Sequence, residues 1–225
     1  MKTCVLIPTY NEAKTIGELV NRVRKEGFDI VVVDDGSSDD TAQIARQVGA
    51  TLITHSENKG KGASLKTGFQ YVLKNDYDAV IIMDGDGQHS PHDIRRFIDT
   101  VRSTNADLIV GNRMDSTKSM PFVRRATNKW MSGFLSRICG QEIPDTQCGF
   151  RLIKKDVLKK IKLNTSKYET ESEILIRAGK KGFKIGSIPI KSIYNNEISS
   201  IHPLIDACRF ARLIVSIFLE RLIKS

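Results

Sequence analysis

Val80-Ile81-Ile82-Met83-Asp84-Gly85-Asp86-Gly87-Gln88 is the stretch on which the reading of this 225-residue chain turns. An unbroken apolar run passes directly into acids and glycines. Such a run reads as a buried strand of a parallel sheet whose C-terminal end opens onto a site. The two glycines permit a turn that lets the carboxylates of Asp84 and Asp86 and the amide oxygen of Gln88 converge. Hard oxygen ligands of this kind suit Mg²⁺ or Mn²⁺, above all when a diphosphate supplies the remaining ligands. The same letters also describe an ordinary Asp/Gly turn after a strand, so the neighbouring stretches decide.

Upstream, apolar runs of strand length alternate with amphipathic helical stretches. Residues 4–7 form the first run, stopped by Pro8-Thr9-Tyr10-Asn11-Glu12. A helix follows, with Ile16, Leu19, Val20 and Val23 at helical spacing and Gly27 as its stop. Residues 30–33 make a second strand ending in Asp34-Asp35-Gly36-Ser37-Ser38-Asp39, where Ser38 or Asp39 is placed to cap the next helix. A third strand at 51–54 leads through Asn58-Lys59-Gly60-Lys61-Gly62 into a helix that runs to Leu73. Downstream, Ser90-Pro91-His92-Asp93 carries the cap, proline and acid of a helix start, and residues 108–110 are a fifth strand. The alternation implies an α/β fold, a mostly parallel sheet with helices on both faces. Ligands of such sheets bind beyond the carboxyl ends of the strands, where 8–12, 34–39, 58–62 and 84–88 all lie.

Beyond residue 110 the pattern loosens. Gly111-Asn112-Arg113 opens a basic segment holding Lys118, Arg124, Arg125, Lys129 and Arg137. Pro144-Asp145-Thr146-Gln147-Cys148-Gly149-Phe150-Arg151-Leu152 reads as a loop entering a strand. Glu169, Glu171 and Glu173 open a helix that stops near Gly182, and 183–190 is another strand. The last helix, from 203 to 224, has Phe210, Leu213, Ile214, Ile217 and Phe218 on one face. With no internal repeat and no low-complexity linker, the division is one domain at 1–202 and a helical appendage at 203–225.

Apolar content of 40% and charged content of 27% are those of a globular chain with an ample core. The net charge of +9 favours anionic partners. Cys4, Cys139, Cys148 and Cys208 lie far apart without a Cys-x-x-Cys, which fits reduced thiols of an intracellular protein. Strand-like sequence begins at Thr3, and no run reaches the roughly 20 apolar residues of a spanning helix, so neither a signal peptide nor a membrane span is expected. Gly-x-Gly-x-x-Gly after the first strand and Gly-Lys-Ser/Thr are both missing, which argues against dinucleotide dehydrogenases and P-loop enzymes. A nucleic-acid module is disfavoured because acids interleave the basic residues and no aromatic-interleaved basic patch appears.

Pro8-Thr9-Tyr10-Asn11-Glu12, Val32-Val33-Asp34-Asp35-Gly36-Ser37-Ser38-Asp39-Asp40-Thr41 and Asp84-Gly85-Asp86-Gly87-Gln88-His89 together resemble the signature of inverting family 2 glycosyltransferases. Gly111-Asn112-Arg113, Gln147-Cys148-Gly149-Phe150-Arg151 and Glu169-Thr170-Glu171 make the chain most similar to the polyprenyl-phosphate (dolichol-phosphate) mannosyltransferase branch. The resemblance implies a GT-A fold, a nucleotide-sugar donor and Mg²⁺ or Mn²⁺. By position it implies Pro8, Tyr10 and Glu12 against base and ribose, with Asp35 on the base. It also implies Asp84, Asp86 and Gln88 at the metal and diphosphate. Tyr10 offers a stacking face and Glu12 an acceptor for ribose hydroxyls, which agrees with the chemistry. Lys61, in a glycine-flanked loop, suits donor phosphate or solvent. GDP-mannose is the donor the resemblance favours; UDP-glucose enzymes share the motifs.

The acceptor side follows from charge. An inverting transfer needs a nucleophile on the face of C1 opposite the leaving nucleoside diphosphate. A lipid monophosphate is already an anion and needs aiming more than deprotonation. Arg113 and Arg125, with Arg124 and Arg151 as weaker candidates, suit a phosphate clamp. Asp145 is open: the base for a hydroxyl acceptor, a turn cap, or the group that orders Arg151. Glu169 and Glu171 either position acceptor or sugar or simply begin a helix. His89 is expected to pack beside the metal loop, His202 lies in a candidate covering segment, and His55 and His92 are read as surface.

A polyprenyl or dolichyl phosphate sits in a bilayer. The last helix, bearing Arg209, Arg212, Arg221 and Lys224, fits an anionic membrane interface or a dock on its own domain or in a homodimer. The expected location is the cytoplasmic face of a membrane, peripherally bound.

Overall fold

The computed structural model describes residues 1–114, 122–191 and 203–222. In chain order the elements are β1 (Thr3–Thr9), α1 (Ile16–Lys25), β2 (Asp29–Asp34), α2 (Thr41–Gln47), β3 (Thr51–Thr54), α3 (Lys61–Lys74) and β4 (Ala79–Ile82). Then come α4 (Ile94–Thr104), β5 (Leu108–Asn112), α5 (Phe122–Cys139), β6 (Arg151–Lys154) and α6 (Lys155–Lys160). The last three are α7 (Glu169–Lys180), β7 (Ile185–Pro189) and α8 (Pro203–Leu222).

One sheet holds the described strands in the order β3-β2-β1-β4-β6-β5-β7. The first four pair in parallel, with β1 between β2 and β4. Parallel neighbours cannot be joined by a tight turn, so each connection returns through a helix. Every residue of β1, β4 and β5 is buried. Successive side chains point to opposite faces, so both faces of the sheet are covered. β6 breaks the parallel run: it lies antiparallel to β4 on one side and β5 on the other. β7 then pairs in parallel with β5.

The helices dock by period. Ile16, Leu19, Val20 and Val23 of α1, and Ile94, Phe97, Ile98 and Val101 of α4, are buried at helical spacing. Each such side chain stabilises the fold by about 1.5–3 kcal/mol. α3 approaches the sheet closely: a Cβ at Gly68 would stand 2.3 Å from Leu6 Cδ1. The N-cap of α2 is Asp40, not Ser38 or Asp39, and makes no side-chain cap; Asp39, one residue earlier, accepts the Thr41 N–H through Oδ1 at 3.1 Å. Ser90 makes no side-chain cap; Pro91–Asp93 is a turn of 3-10 helix and α4 starts after it.

Two elements lie outside the sequence expectation. α5 has an inward face of Asn128, Ser132, Leu135 and Cys139, half polar, so it shows no clean apolar period. α6 is a helix of 6 residues, too short for a period to show. α8 docks on the domain through buried Leu213 and Ile217, and Lys180 Nζ of α7 donates to the Ile217 carbonyl at 3.4 Å.

Candidate active site

Four loops meet at the carboxyl ends of β1 to β4. After β1 the chain turns at Asn11, which takes a left-handed φ of 57°. Asn11 N–H donates to Ser37 Oγ at 2.8 Å, and its Oδ1 accepts the Ser38 N–H at 2.9 Å, which ties the first loop to the second. The Glu12 N–H donates to Thr41 Oγ1 at 2.8 Å. The Thr15 hydroxyl lies 2.7 Å from the Gly85 carbonyl and 3.1 Å from Glu12 Oε2, joining the first loop to the fourth. Pro8 is buried within β1, whereas the Tyr10 ring is 45% exposed. Core packing does not hold that ring, so it is available as a stacking face.

Asp35 is buried and turned inward. Its carboxylate accepts the Lys59 N–H at 3.0 Å and the Gly60 N–H at 2.6 Å, and lies 2.7 Å from His55 Nδ1. His55 Nε2 is 2.9 Å from Thr67 Oγ1. His55 is therefore no surface residue: with Asp35 it anchors the 58–62 loop. That loop lies against residues 166–170. A Cβ at Gly60, φ +99°, would stand 2.7 Å from the Ser166 carbonyl, and one at Gly62 only 1.9 Å from Thr170 Oγ1. His92 is exposed.

The loop delivers Lys61 into the site. Its Nζ lies 2.6 Å from Asp84 Oδ1 and 3.0 Å from Glu171 Oε1, so the ammonium bridges the end of β4 and the start of α7. Beyond this ion pair neither oxygen has a hydrogen-bond partner, and neither has Glu169 Oε2. Burial works to raise the Asp84 carboxyl, but the Lys61 ammonium, with His89 and Arg113, outweighs it and brings the value down to about 2. Lys61 is shifted up, because the two carboxylates outweigh its burial. Asp86 moves the other way from Asp84, raised by burial and by the Asp84 charge. The Gln88 N–H donates to Asp86 Oδ1 at 2.9 Å. His89 packs as the sequence suggested: its ring stacks on Phe150 at 5.0 Å, and Nδ1 faces the Asp84 N–H at 3.4 Å. Burial depresses its basicity, opposed by the charges of Asp84 and Asp86.

On the far side of β4 stands a guanidinium held by a carboxylate. Arg113 Nε donates to Asp145 Oδ2 at 2.7 Å and its Nη2 to Oδ1 at 3.0 Å, while the Arg113 N–H also reaches Oδ2 at 3.2 Å. Asp145 thus orders Arg113, not Arg151. Arg151 is fully buried, donating to the carbonyls of Thr146 and Cys148 at 2.8 Å and of Glu171 at 2.6 Å. It braces the 146–150 loop against α7 and has no surface a phosphate could reach, so a clamping role does not fit. Arg125 is exposed on α5. His202 and Lys118 lie outside the described residues, as does the side chain of Arg124.

The model of the family described as "Glycosyl transferase family 2" matches residues 4–162. The chain belongs to glycosyl transferase family 2. It is 33% identical over 213 residues to the UDP-N-acetylglucosamine–dolichyl-phosphate N-acetylglucosaminyltransferase of Methanococcus voltae, covering 84% of this chain and 85% of the relative. It is 32% identical over 203 residues to the polyprenol monophosphomannose synthase of Mycolicibacterium smegmatis, covering 84% and 76%. Among solved structures, mannosyl-3-phosphoglycerate synthase from Rubrobacter xylanophilus superposes with a TM-score of 0.75 at 17% identity, over 100% of this chain and 74% of that one. Glucosyl-3-phosphoglycerate synthase from Mycobacterium tuberculosis, solved with Mn²⁺, UDP and phosphoglyceric acid, gives 0.73 at 16% identity, over 98% and 78%. The fold is GT-A and the protein is a glycosyltransferase.

Family 2 enzymes of this fold imply a divalent cation. Among the described residues no group of three or more His, Cys, Asp or Glu side chains is placed to hold a metal ion by itself. What is present fits an open one: Asp84 Oδ1 is shielded and has no partner besides the Lys61 ammonium, and the Asp84 charge already weighs on Asp86. A Cβ at residue 149 would stand 2.5 Å from Asp84 Oδ2, so Gly149 leaves that carboxylate its room. Two carboxylates with the rest of the ligands from a diphosphate is how Mg²⁺ is ordinarily held.

Proposed function

We propose that this glycosyltransferase moves a hexose, with inversion at C1, from a nucleoside-diphosphate sugar to the phosphate of a polyprenyl or dolichyl phosphate. Tyr10 stacks on the base, Glu12 takes ribose hydroxyls, and Pro8 and Asp35 shape the base pocket, Asp35 chiefly by fixing the 58–62 loop. Asp84 and Asp86, with Gln88, hold Mg²⁺ or Mn²⁺. When bound, the ion supplies positive charge to the departing diphosphate. Lys61 adds a second cation beside Asp84 for the same phosphates. An acceptor phosphate oxygen forms the new bond to C1 as the bond to the diphosphate oxygen breaks. No proton need be removed, because the phosphate is already ionised. Arg113 presents that phosphate, with Arg125 as an outer contact.

The observation that carries this reading is the Arg113–Asp145 pair. Both carboxylate oxygens of Asp145 accept from Arg113 and its side chain is 0% exposed, so it suits aiming a guanidinium and not taking a proton from a hydroxyl. Mannose from GDP-mannose is the sugar we assign first, in line with the Mycolicibacterium relative. N-acetylglucosamine from UDP is the second, favoured by the Methanococcus relative. The lipid acceptor implies a peripheral position at a membrane's cytoplasmic face; among the described residues no helix is long and apolar enough to cross one. A panel of labelled GDP-mannose, UDP-glucose and UDP-N-acetylglucosamine, with a short polyprenyl phosphate and with the matching polyprenol, tests it. Transfer to the phosphate alone, abolished by EDTA, is expected. Transfer to the polyprenol, or to neither, overturns it.

A further inference from the structure

We propose that Lys61 competes with the divalent cation for Asp84, and that the donor's diphosphate ends the competition by drawing the ammonium off, so that metal and nucleotide bind as a pair. Lys61 has this role only if Asp84 and Asp86 hold the metal as assigned under the proposed function. Lys61 Nζ lies 2.6 Å from Asp84 Oδ1 and 3.0 Å from Glu171 Oε1. A Mg²⁺ ion needs the same kind of oxygen at about 2.1 Å and holds its ligands in near-octahedral directions. The other oxygen of Asp84 offers no way round. Oδ2 lies beside Gly149, so a cation there still shares one carboxylate with the ammonium. Two cations on one carboxylate repel each other unless a further anion stands between them.

The side chain alone makes this exchange, because the backbone around it is pinned. Lys61 is the first residue of α3. Just before it, the Gly60 N–H donates to Asp35 Oδ2 at 2.6 Å; just after it, the Ala63 N–H donates to the Ser166 carbonyl at 3.0 Å. The ammonium, in contrast, sits on a four-carbon stem of rotatable bonds. Glu171 gives it a second anchor, so letting go of Asp84 does not leave a buried charge unpaired. The Lys61 and Glu171 side chains are 19% and 13% exposed, so water screens their pairing little.

Charge explains why a nucleotide is the partner that releases the lysine. With the ammonium on Asp84, part of the negative charge that attracts the ion is already neutralised. A diphosphate brings anionic oxygens that take the ammonium and also complete the metal's ligand shell, so each ligand helps the other to bind. Glu171 is a positioning residue in this scheme: it keeps the ammonium close while Asp84 changes partners. Exchange differs from simple repulsion by a fixed charge. A fixed charge opposes the ion equally with and without nucleotide, whereas an exchanging lysine opposes the ion alone and favours the ion with its nucleotide.

The test reads binding and needs neither acceptor nor turnover. The full chain is titrated with Mn²⁺ at neutral pH, alone and with GDP or UDP, and free Mn²⁺ is followed by its EPR signal. Lys61→Met should bind Mn²⁺ alone roughly tenfold tighter than the parent chain, because the competing cation is gone. With GDP or UDP the order should invert, the variant binding Mn²⁺ and nucleotide together roughly tenfold more weakly. Glu171→Gln leaves the ammonium to Asp84 alone and should weaken binding of Mn²⁺ alone about threefold. Damage to the fold would move both variants the same way, and melting temperatures check it. Lys167→Met removes a lysine of the adjoining loop whose ammonium faces Asn58, and should change neither affinity by more than about twofold. Unchanged or weaker binding of Mn²⁺ alone to Lys61→Met, a gain that persists with nucleotide, or an equal gain in Lys167→Met overturns the exchange. If no variant binds Mn²⁺ even with nucleotide, the metal position of Asp84 and Asp86 falls, and the exchange with it.

Discussion

On the proposed donor side of the cleft, residues 3–88, polar groups stand just past strand ends and find their partners at neighbouring ones. Asn11 meets Ser37 and Ser38, Thr15 meets Gly85, and Asp35 meets His55 and the 58–62 loop. On the proposed acceptor side, Arg113 takes its partner from 32 residues on, and Arg151 donates to a carbonyl of α7, 20 residues away in sequence. The difference follows from strand direction. Parallel strands joined by helices put every carboxyl end on one rim, so sequence position alone places the side chain. The antiparallel β6 arrives from a loop, and its neighbours are set only by tertiary contacts. Lys61 is where the two sides join, because its ammonium pairs with Asp84 from one and Glu171 from the other.

The contrast can be broken from either side. On the donor side, Asp86→Ala should lower transfer by about 10³-fold with the melting temperature almost unchanged; an EDTA-sensitive variant of near-normal rate would remove Asp86 from the chemistry. On the acceptor side, Arg151→Met should act the opposite way. It strips the buried Thr146 and Cys148 carbonyls of their Arg151 donor and should cost about 2–5 kcal/mol of stability in a denaturant titration. Its KM for lipid phosphate should hold at temperatures where the variant stays folded.

Between the two buried arginines, Arg113→Ala should reduce kcat/KM for lipid phosphate about 100-fold, and Asp145→Asn, which keeps the guanidinium but loosens its aim, about tenfold. If Asp145→Asn is the more damaging and flattens the acid limb of the pH–rate profile, Asp145 is a base and the two sides are alike after all. The smallest effect concerns pH. Asp84 titrates at about 2 when folded against an ordinary 3.8, so its ion pair stabilises the fold above that ordinary value. The contribution falls as pH drops through about 2. Thermal melts between pH 5 and pH 2 should show Asp84→Asn losing less stability on acidification than the parent chain.

The legibility of the molecule divides along the same line. β1 to β4 were readable because an unbroken apolar run before acids and glycines has one economical fold, a doubly covered parallel strand. His55 was misplaced because a lone histidine past a strand resembles surface until its carboxylate partner is known. α5 was unreadable because Ser132 and Ser136 face inward to hold backbone N–H groups, which erases the apolar period. Trp130, 67% exposed on α5, carried no signal in one dimension, since a single aromatic is as often core as surface.

By itself the sequence determined the sheet, its rim and the family, since these depend on local periodicity and on short motifs at strand ends. Tertiary structure alone decided which arginine pairs with Asp145, which one is buried as a brace, and where Lys61 and Trp130 stand. Charges separated by tens of residues acquire meaning only when packing fixes their distance, because an ion pair and a buried carbonyl brace act over a few ångströms that no spacing of letters records.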